Sequence, residues 1–327
     1  MQQRHANKNT GLHSAHSLPA PVWQPTHRSP RKAGQLQCLL LAATALIGTP
    51  WAHADTCSQA DIMLTKQEKV DQFQADYGPC DEITGDLTIV GFTFLGTDIN
   101  TLAPLNDIAR IGGNLTLQYL SNLPGVDGLS LLTEVGGNLI VNANFPMTHL
   151  DGLIGLEIVH GEIYLENLSN LDSIAGLGML VSIGGDFTIG SAGKLQGLSG
   201  FPPAITHLPG GLSLIANPDL DDVSALSNLI HVGGSLLVSD NSSLHQLTGL
   251  DAVESVGENL TVGGNPALVD CTSLLTVLDQ EDDGLTGPGP GPAGIPDIGG
   301  SLQLQGNRPV CNDRDTIGDL LSASGFE

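Results

Sequence analysis

Between residues 85 and 305 the chain repeats one phrase: a glycine pair or a degenerate form of it, a polar residue, then an apolar one. The apolar residue that closes the phrase is Leu87, Leu115, Leu139, Ile163, Phe187, Leu212, Leu236, Leu260 and Leu302, giving steps of 28, 24, 24, 24, 25, 24, 24 and 42 residues. A near-constant period of this length marks a repeat architecture. With that residue as position 0, apolar side chains fall at +2, +8, +11, +14, +17 and +20. The rung from Ile163 accordingly reads Leu165, Leu171, Ile174, Leu177, Leu180 and Ile183. Asn occupies +5 at Asn144, Asn217, Asn241, Asn265 and Asn307, and Gly occupies +13 at Gly128, Gly152, Gly176, Gly200 and Gly249.

Each position predicts a piece of local structure. Alternation at 0 and +2 after a glycine break predicts a short strand with one buried face. The glycines predict a corner where φ turns positive and two backbones come close. The Asn is expected to bond backbone groups of its own turn and of the next rung, closing a tight bend. The later spacing of three places one aliphatic side chain inward per short segment. A continuous amphipathic helix would need a period of 3.6 and no glycine at +13. The fold expected is therefore mainly β: a right-handed parallel β-helix or leucine-rich-repeat-like solenoid of about nine rungs of ~24 residues, spanning roughly 40 Å.

The ends of such a stack need covering. Residues 55–82 are expected to form an N-terminal cap, with a helix over Thr65–Tyr77 that stops at Gly78-Pro79. At the other end, Cys271–Leu278 reads as a short helix. The step of 42 implies an insert at about 279–296, rich in acid, Gly and Pro, within a solenoid over 83–311; residues 312–327 form a tail. Four cysteines, Cys57, Cys80, Cys271 and Cys311, lie as two pairs at the two ends. Proximity favours Cys57–Cys80 and Cys271–Cys311 among the three pairings available. Each bridge contributes roughly 3–4 kcal/mol on a chain-entropy account.

These motifs resemble the receptor L-domain, the leucine-rich-repeat-like right-handed β-helix of insulin- and EGF-receptor ectodomains, whose repeats also occur in secreted bacterial and fungal cell-wall proteins. The clearest stretches are VGGSLLVSDNSSLHQLTGLDAVESV (Val232–Val256) and VGENLTVGGNPALVDC (Val256–Cys271). The resemblance covers about residues 83–311. It implies a binding-type role and brings no catalytic residue with it.

Composition narrows the function. Lys+Arg is 11 against Asp+Glu 35, a net charge of −24, which argues against nucleic acid or an anionic membrane as partner. Residues 1–54 hold five basic residues and no acid, then an apolar run Cys38–Ile47 and Ala52-His53-Ala54. That pattern is a signal peptide cut before Asp55, so the protein is expected to be exported to the periplasm, cell surface or exterior. The remaining chain, with 6 basic and 35 acidic residues, carries −29.

Motifs for chemistry are weak. Gly289, Gly291 and Gly294 spell G-x-G-x-x-G, but Pro290 and Pro292 remove donors that a phosphate would need. Asp279, Glu281 and Asp283 match the first half of a calcium loop whose twelfth position is Pro290 instead of a bidentate Glu. His207 and His231 share position −5 and are expected to stack as part of an exposed polar ladder with Arg110 and Glu134, in preference to a metal pair. N-x-S/T sequons stand at Asn114, Asn167, Asn241 and Asn259. No G-x-S-x-G, H-E-x-x-H or P-loop is present, so neither an enzyme nor a cofactor is expected, and a hydrolase ranks last among the readings.

The candidate site is the outward face of the strands, at +1 and +3: Thr116, Gln118, Ile140, Asn142, Tyr164, Glu166, Thr188, Ser213, Leu237 and Thr261. This ribbon is flat, mildly apolar and weakly charged. It suits a protein partner better than a glycan, because Tyr164 is its one aromatic. The competing expectation is a structural envelope or surface-layer component that binds divalent cations weakly through its acidity.

Overall fold

A computed structural model describes residues 55–92, 96–278 and 298–312. The expected leader (1–54), insert (279–296) and all of the tail after Asn312 lie outside the described residues.

Ten parallel strands in sequence order form one long sheet. They are β1 (Ile62–Leu64), β2 (Leu87–Val90), β3 (Leu115–Gln118), β4 (Leu139–Asn142) and β5 (Ile163–Glu166), followed by β6 (Phe187–Gly190), β7 (Leu212–Ile215), β8 (Leu236–Ser239), β9 (Leu260–Gly263) and β10 (Leu302–Gln305). The register is unslipped: each position 0 residue pairs with the next, as in Leu115↔Leu139 and Leu139↔Ile163. The sheet has one strand more than the nine rungs expected. β1, inside the N-terminal cap, pairs Ile62↔Leu87 although no glycine phrase precedes it.

The repeat's apolar positions all point into one continuous core. In the rung from Leu115, residues Leu115, Leu117, Leu123, Val126, Leu129, Leu132 and Val135 are each at most 1 % exposed. The spacing of three resolves into 3-10 turns, including Asp127–Leu129, Asp151–Leu153 and Ala175–Leu177, so no long helix forms. Position +20 ends a second, shorter strand column of five strands, the last being Ile158–Val159 and Ser182–Ile183. A separate column of three follows: His207–Leu208, His231–Val232 and Ser255–Val256. The expected single ladder from Arg110 to His231 is therefore broken. The rung between Ser182 and His207 has one extra residue and runs through Pro202-Pro203, which cannot donate to a ladder. Phe187 and Phe201 fill that wider rung, packed edge-on at 5.3 Å.

The glycines act through contact between rungs. None of the phrase glycines has positive φ. Instead, a Cβ on Gly136 would lie 2.1 Å from the carbonyl oxygen of Gly112, and one on Gly184 would lie 1.9 Å from that of His160. The +13 glycines are equally close to the preceding rung, with Val126 O only 2.0 Å from a Cβ on Gly152, and two of them, Gly200 and Gly249, also have positive φ (139° and 118°). The left-handed corner sits elsewhere, at +4, and is occupied mostly by non-glycine residues. Tyr119, Ala143, Asn167, Ser191, Ala216 and Asp240 have φ of 53–58°, and Gly264 and Gly306 follow at 68° and 72°. Six L-residues in this region cost roughly 1–2 kcal/mol each. The corner persists because its N–H continues the sheet ladder, as in Ala143 N–H to Glu166 O at 3.0 Å.

Side-chain ladders flank the strands on both ends. Asn144, Asn217, Asn241 and Asn265 are fully buried. Asn144 accepts from Leu120 N–H (2.8 Å) and donates to Leu117 O (2.8 Å). Asn241 likewise accepts from Asn217 N–H (3.0 Å) and donates to Leu214 O (2.9 Å). Each of these bonds reaches the preceding rung, in place of the residue's own turn and the next rung that the sequence led us to expect. At −1 the direction reverses: Asp86 accepts from Asn114 N–H, Asn114 from Asn138 N–H, and Asn138 from Glu162 N–H, at 2.7–3.0 Å. The polar member of the repeated phrase thus ties most rungs to the next one up, with Gly211 as a gap in the series.

Both caps are pinned. The expected cap helix is two helices, α1 (Gln67–Asp71) and α2 (Phe73–Tyr77), interrupted at Gln72; they bury Val70 and Phe73. At the far end a 3-10 turn, Thr272–Leu274, runs into α3 (Leu275–Leu278). The disulfides are Cys57–Cys80 and Cys271–Cys311, as proximity suggested.

Replacing Gly152 by Ala drives a Cβ into backbone that cannot move aside. Chemical denaturation should show a loss of at least about 1–3 kcal/mol. Gly178→Ala, whose nearest neighbour is Ala175 O at 3.3 Å, should cost under about 0.5 kcal/mol.

Candidate functional site

The unslipped register turns the outward positions of the sheet into two straight rows. The +1 row runs Met63, Thr88, Thr116, Ile140, Tyr164, Thr188, Ser213, Leu237, Thr261 and Gln303, one residue per strand from β1 to β10. The +3 row includes Gln118, Asn142, Glu166, Gly190, Ile215 and Ser239. From Thr88 to Thr261 the +1 side chains are half-buried by their neighbours, which makes a surface and not a fringe of free chains. All ten ribbon residues expected from the sequence lie on this one face.

Its centre is Tyr164. Ile140 and Thr188 stand beside it in register, and Glu166 lies two residues along the same strand. The next residue in the row beyond Glu166 is Gly190, and the carboxylate folds across it: a Cβ on Gly190 would be 2.0 Å from Glu166 Oε2. Ser191 Oγ donates to Glu166 Oε1 at 3.4 Å, and Asn167 Nδ2 donates to Asn142 Oδ1 at 3.2 Å. Burial, reinforced by the negative charges of Glu166 and Glu162, holds the Tyr164 hydroxyl above the ordinary tyrosine pKa. The neutral phenol therefore persists at every physiological pH, offering a donor and a ring face.

Three large exposed apolar residues lie on or just past strands β1, β2 and β4. Met63 is 63 % exposed, Phe92 54 % and Phe145 55 %. Met63 is the +1 residue of β1; Phe92 and Phe145 sit at +5 and +6, just past the strand exit. The sequence reading missed all three. Two aromatics beyond the strand in a chain with 4 % aromatics was the available signal.

The second strand column carries charge instead. Arg110 Nε lies 3.2 Å from Glu134 Oε2, and His160 Nε2 3.0 Å from Glu134 Oε1. The hydrogen bond from His160, with Arg110 adding charge and a further bond, holds the Glu134 carboxyl below its usual value. A shallow hollow of about 470 Å³ lies elsewhere, lined by Asp172, Lys194, Gln196 and Asp219. Asp279, Glu281 and Asp283, and the Gly289–Gly294 loop, lie outside the described residues. Of the sequons, Asn241 is fully buried and bonded through both amide atoms, so it is closed to modification in the folded chain.

No group of three or more His, Cys, Asp or Glu side chains suited to a metal ion occurs among the described residues, and none of their helices is long and apolar enough to cross a membrane. No protein-family model, curated protein or solved structure matches the chain at a significant level.

Absorbance titration provides a check on the Tyr164 environment. The tyrosine signal lost in Tyr164→Phe should titrate above about 10 in the parent chain. Glu166→Gln should lower that midpoint by removing a neighbouring negative charge; an unchanged or raised midpoint contradicts the described packing.

Proposed function

We propose that this is an exported, non-enzymatic repeat protein of receptor L-domain type that binds another macromolecule, a protein in preference to a glycan, through the outward face of its ten-stranded sheet. One observation carries the reading. In a chain with 35 acidic residues, Glu166 is the only charged residue at the outward +1 and +3 positions of the ribbon. Exclusion of charge from one flat face, while acids crowd the rest, matches the core of a protein interface. Two disulfides support an oxidising destination.

Size sets the kind of contact. Ten strands at about 4.8 Å and four residues at about 3.3 Å give a ribbon of roughly 43 by 13 Å, on the order of 560 Å². A standard interface covers about 800 Å² per partner, so the ribbon alone supports a transient complex. Met63, Phe92 and Phe145, on or just past β1, β2 and β4, add exposed apolar area to the N-terminal half of the stack.

A photo-reactive residue placed in turn at Thr116, Tyr164 and Leu237 should join the chain to the same partner in the extracellular fraction of the producing cells. Ile140→Asp should reduce that adduct at least tenfold. Equal labelling from a probe at Ser182, on the second column, would contradict the ribbon as the binding face.

A further inference from the structure

The two-histidine step of the short three-strand column has features that position alone did not reveal. His207 and His231 pair in register on adjacent parallel strands, with ring centroids 4.6 Å apart and planes tilted by 48°. His207 Nδ1 lies 2.8 Å from Thr206 Oγ1, and His231 Nδ1 lies 2.7 Å from Ser255 Oγ. Both Nδ1 atoms thus face a hydroxyl able to accept their proton, and neither Nε2 has a hydrogen-bond partner among the described residues. The second column lapses between Ser182 and His207, so no strand residue pairs with His207 on its lower side.

We infer that His207 and His231 form a two-imidazole clip for a borderline divalent transition-metal ion, Zn²⁺, Cu²⁺ or Ni²⁺, with water completing the coordination. A histidine that binds metal through one nitrogen characteristically donates the proton on the other to a nearby acceptor, which fixes the tautomer. Thr206 and Ser255 are placed for that acceptor role, which in the metal-bound state leaves the lone pair on Nε2 of both rings. A tetrahedral ion with Zn–N of about 2.0–2.1 Å needs the two nitrogens about 3.4 Å apart. Ring centroids 4.6 Å apart on neighbouring strands place the two imidazoles close enough for one ion to contact a nitrogen of each. The ligand type selects the ion: imidazole suits zinc, copper and nickel, whereas calcium and magnesium require oxygen ligands that this pair lacks. With two protein ligands instead of four, the affinity falls well below that of a closed structural zinc site. The bound ion bridges the rungs of β7 and β8 and stabilises the folded chain by mass action. The site lies on a different column from the binding ribbon and stands or falls independently of it.

The test uses the full chain with Zn²⁺ as probe, followed by imidazole nitrogen NMR and thermal denaturation. Zn²⁺ should shift the ring signals of His207 and His231 together, with one common midpoint, and raise Tm. His207→Ala and His231→Ala should each weaken binding at the remaining ring at least tenfold and remove the Tm rise. His245→Ala, a single-histidine change outside the pair, should leave both effects intact. His231→Gln keeps a polar side chain beside Ser255 and guards against a folding defect; it should abolish the shift at His207 while the metal-free Tm stays near that of the parent. Separate midpoints for the two rings, no shift at either ring, or affinity within twofold of the parent in His207→Ala would overturn the clip.

Discussion

Successive rungs approach so closely that the carbonyl oxygen of one occupies the space a Cβ would need on the next. That contact, at Gly112 and Gly136, at His160 and Gly184, and again at Val126 and Gly152, sets the spacing on which every other feature depends. Glycine is required there for lack of a side chain, not for freedom of φ. Once two corners of each rung are held at backbone contact, the strands fall into unslipped register and the aliphatic positions stack into a single interior. A rung on its own leaves its Leu, Ile and Val faces in water, so stability comes from neighbours.

Close stacking also creates a problem at the strand exits. The chain leaves each strand through a left-handed residue, and the buried amides just beyond it have no sheet partner. A buried amide without a hydrogen bond costs about 1–3 kcal/mol, comparable with the strain of the corner itself. The buried Asn at +5 removes that penalty by serving two backbone groups of the rung below. The polar residue at −1 serves the N–H of the rung above. The two ladders run in opposite directions, so a strand that carries both is tied to the rung below at its exit and to the rung above at its entry. Where +5 is Leu168 or Ala192, the Asn ladder is interrupted, and the wider rung with its double proline lies alongside.

Much of this was legible in the sequence because a repeat samples the same constraint many times. The 24-residue period, the inward positions and the short strands all followed from residues such as Leu117, Leu165 and Val238 recurring in phase, and the disulfide pairs from the nearness of the cysteines in the chain. Other features left no such trace. β1 lacks the glycine phrase, and among the described residues no rung precedes it to press against. The left-handed corner was hidden because Ala143, Ser191 and Ala216 occupy it without any residue type that advertises positive φ. The direction of the Asn bonds depends on which rung lies within reach, a fact of stacking and not of spacing. For the ribbon, alternation identified the face, but Phe92 and Phe145 lie past the strand where alternation no longer speaks. The hydroxyls beside His207 and His231 come from a preceding residue and from the next rung, a conjunction visible only once the column is built.

The ribbon's character follows from the same architecture. A sheet in strict register, buttressed by ladders on both edges, presents rows of half-buried side chains that lose little freedom when a partner docks. Amide hydrogen exchange tests the underlying claim most directly. The account predicts that the N–H groups of Leu120, Ala192, Asn217 and Asn241, bonded to Asn side chains outside the sheet, exchange as slowly as the strand amides of Leu115 and Leu139. Exchange of those four at the rate of exposed turns, with the strand amides still protected, would contradict it.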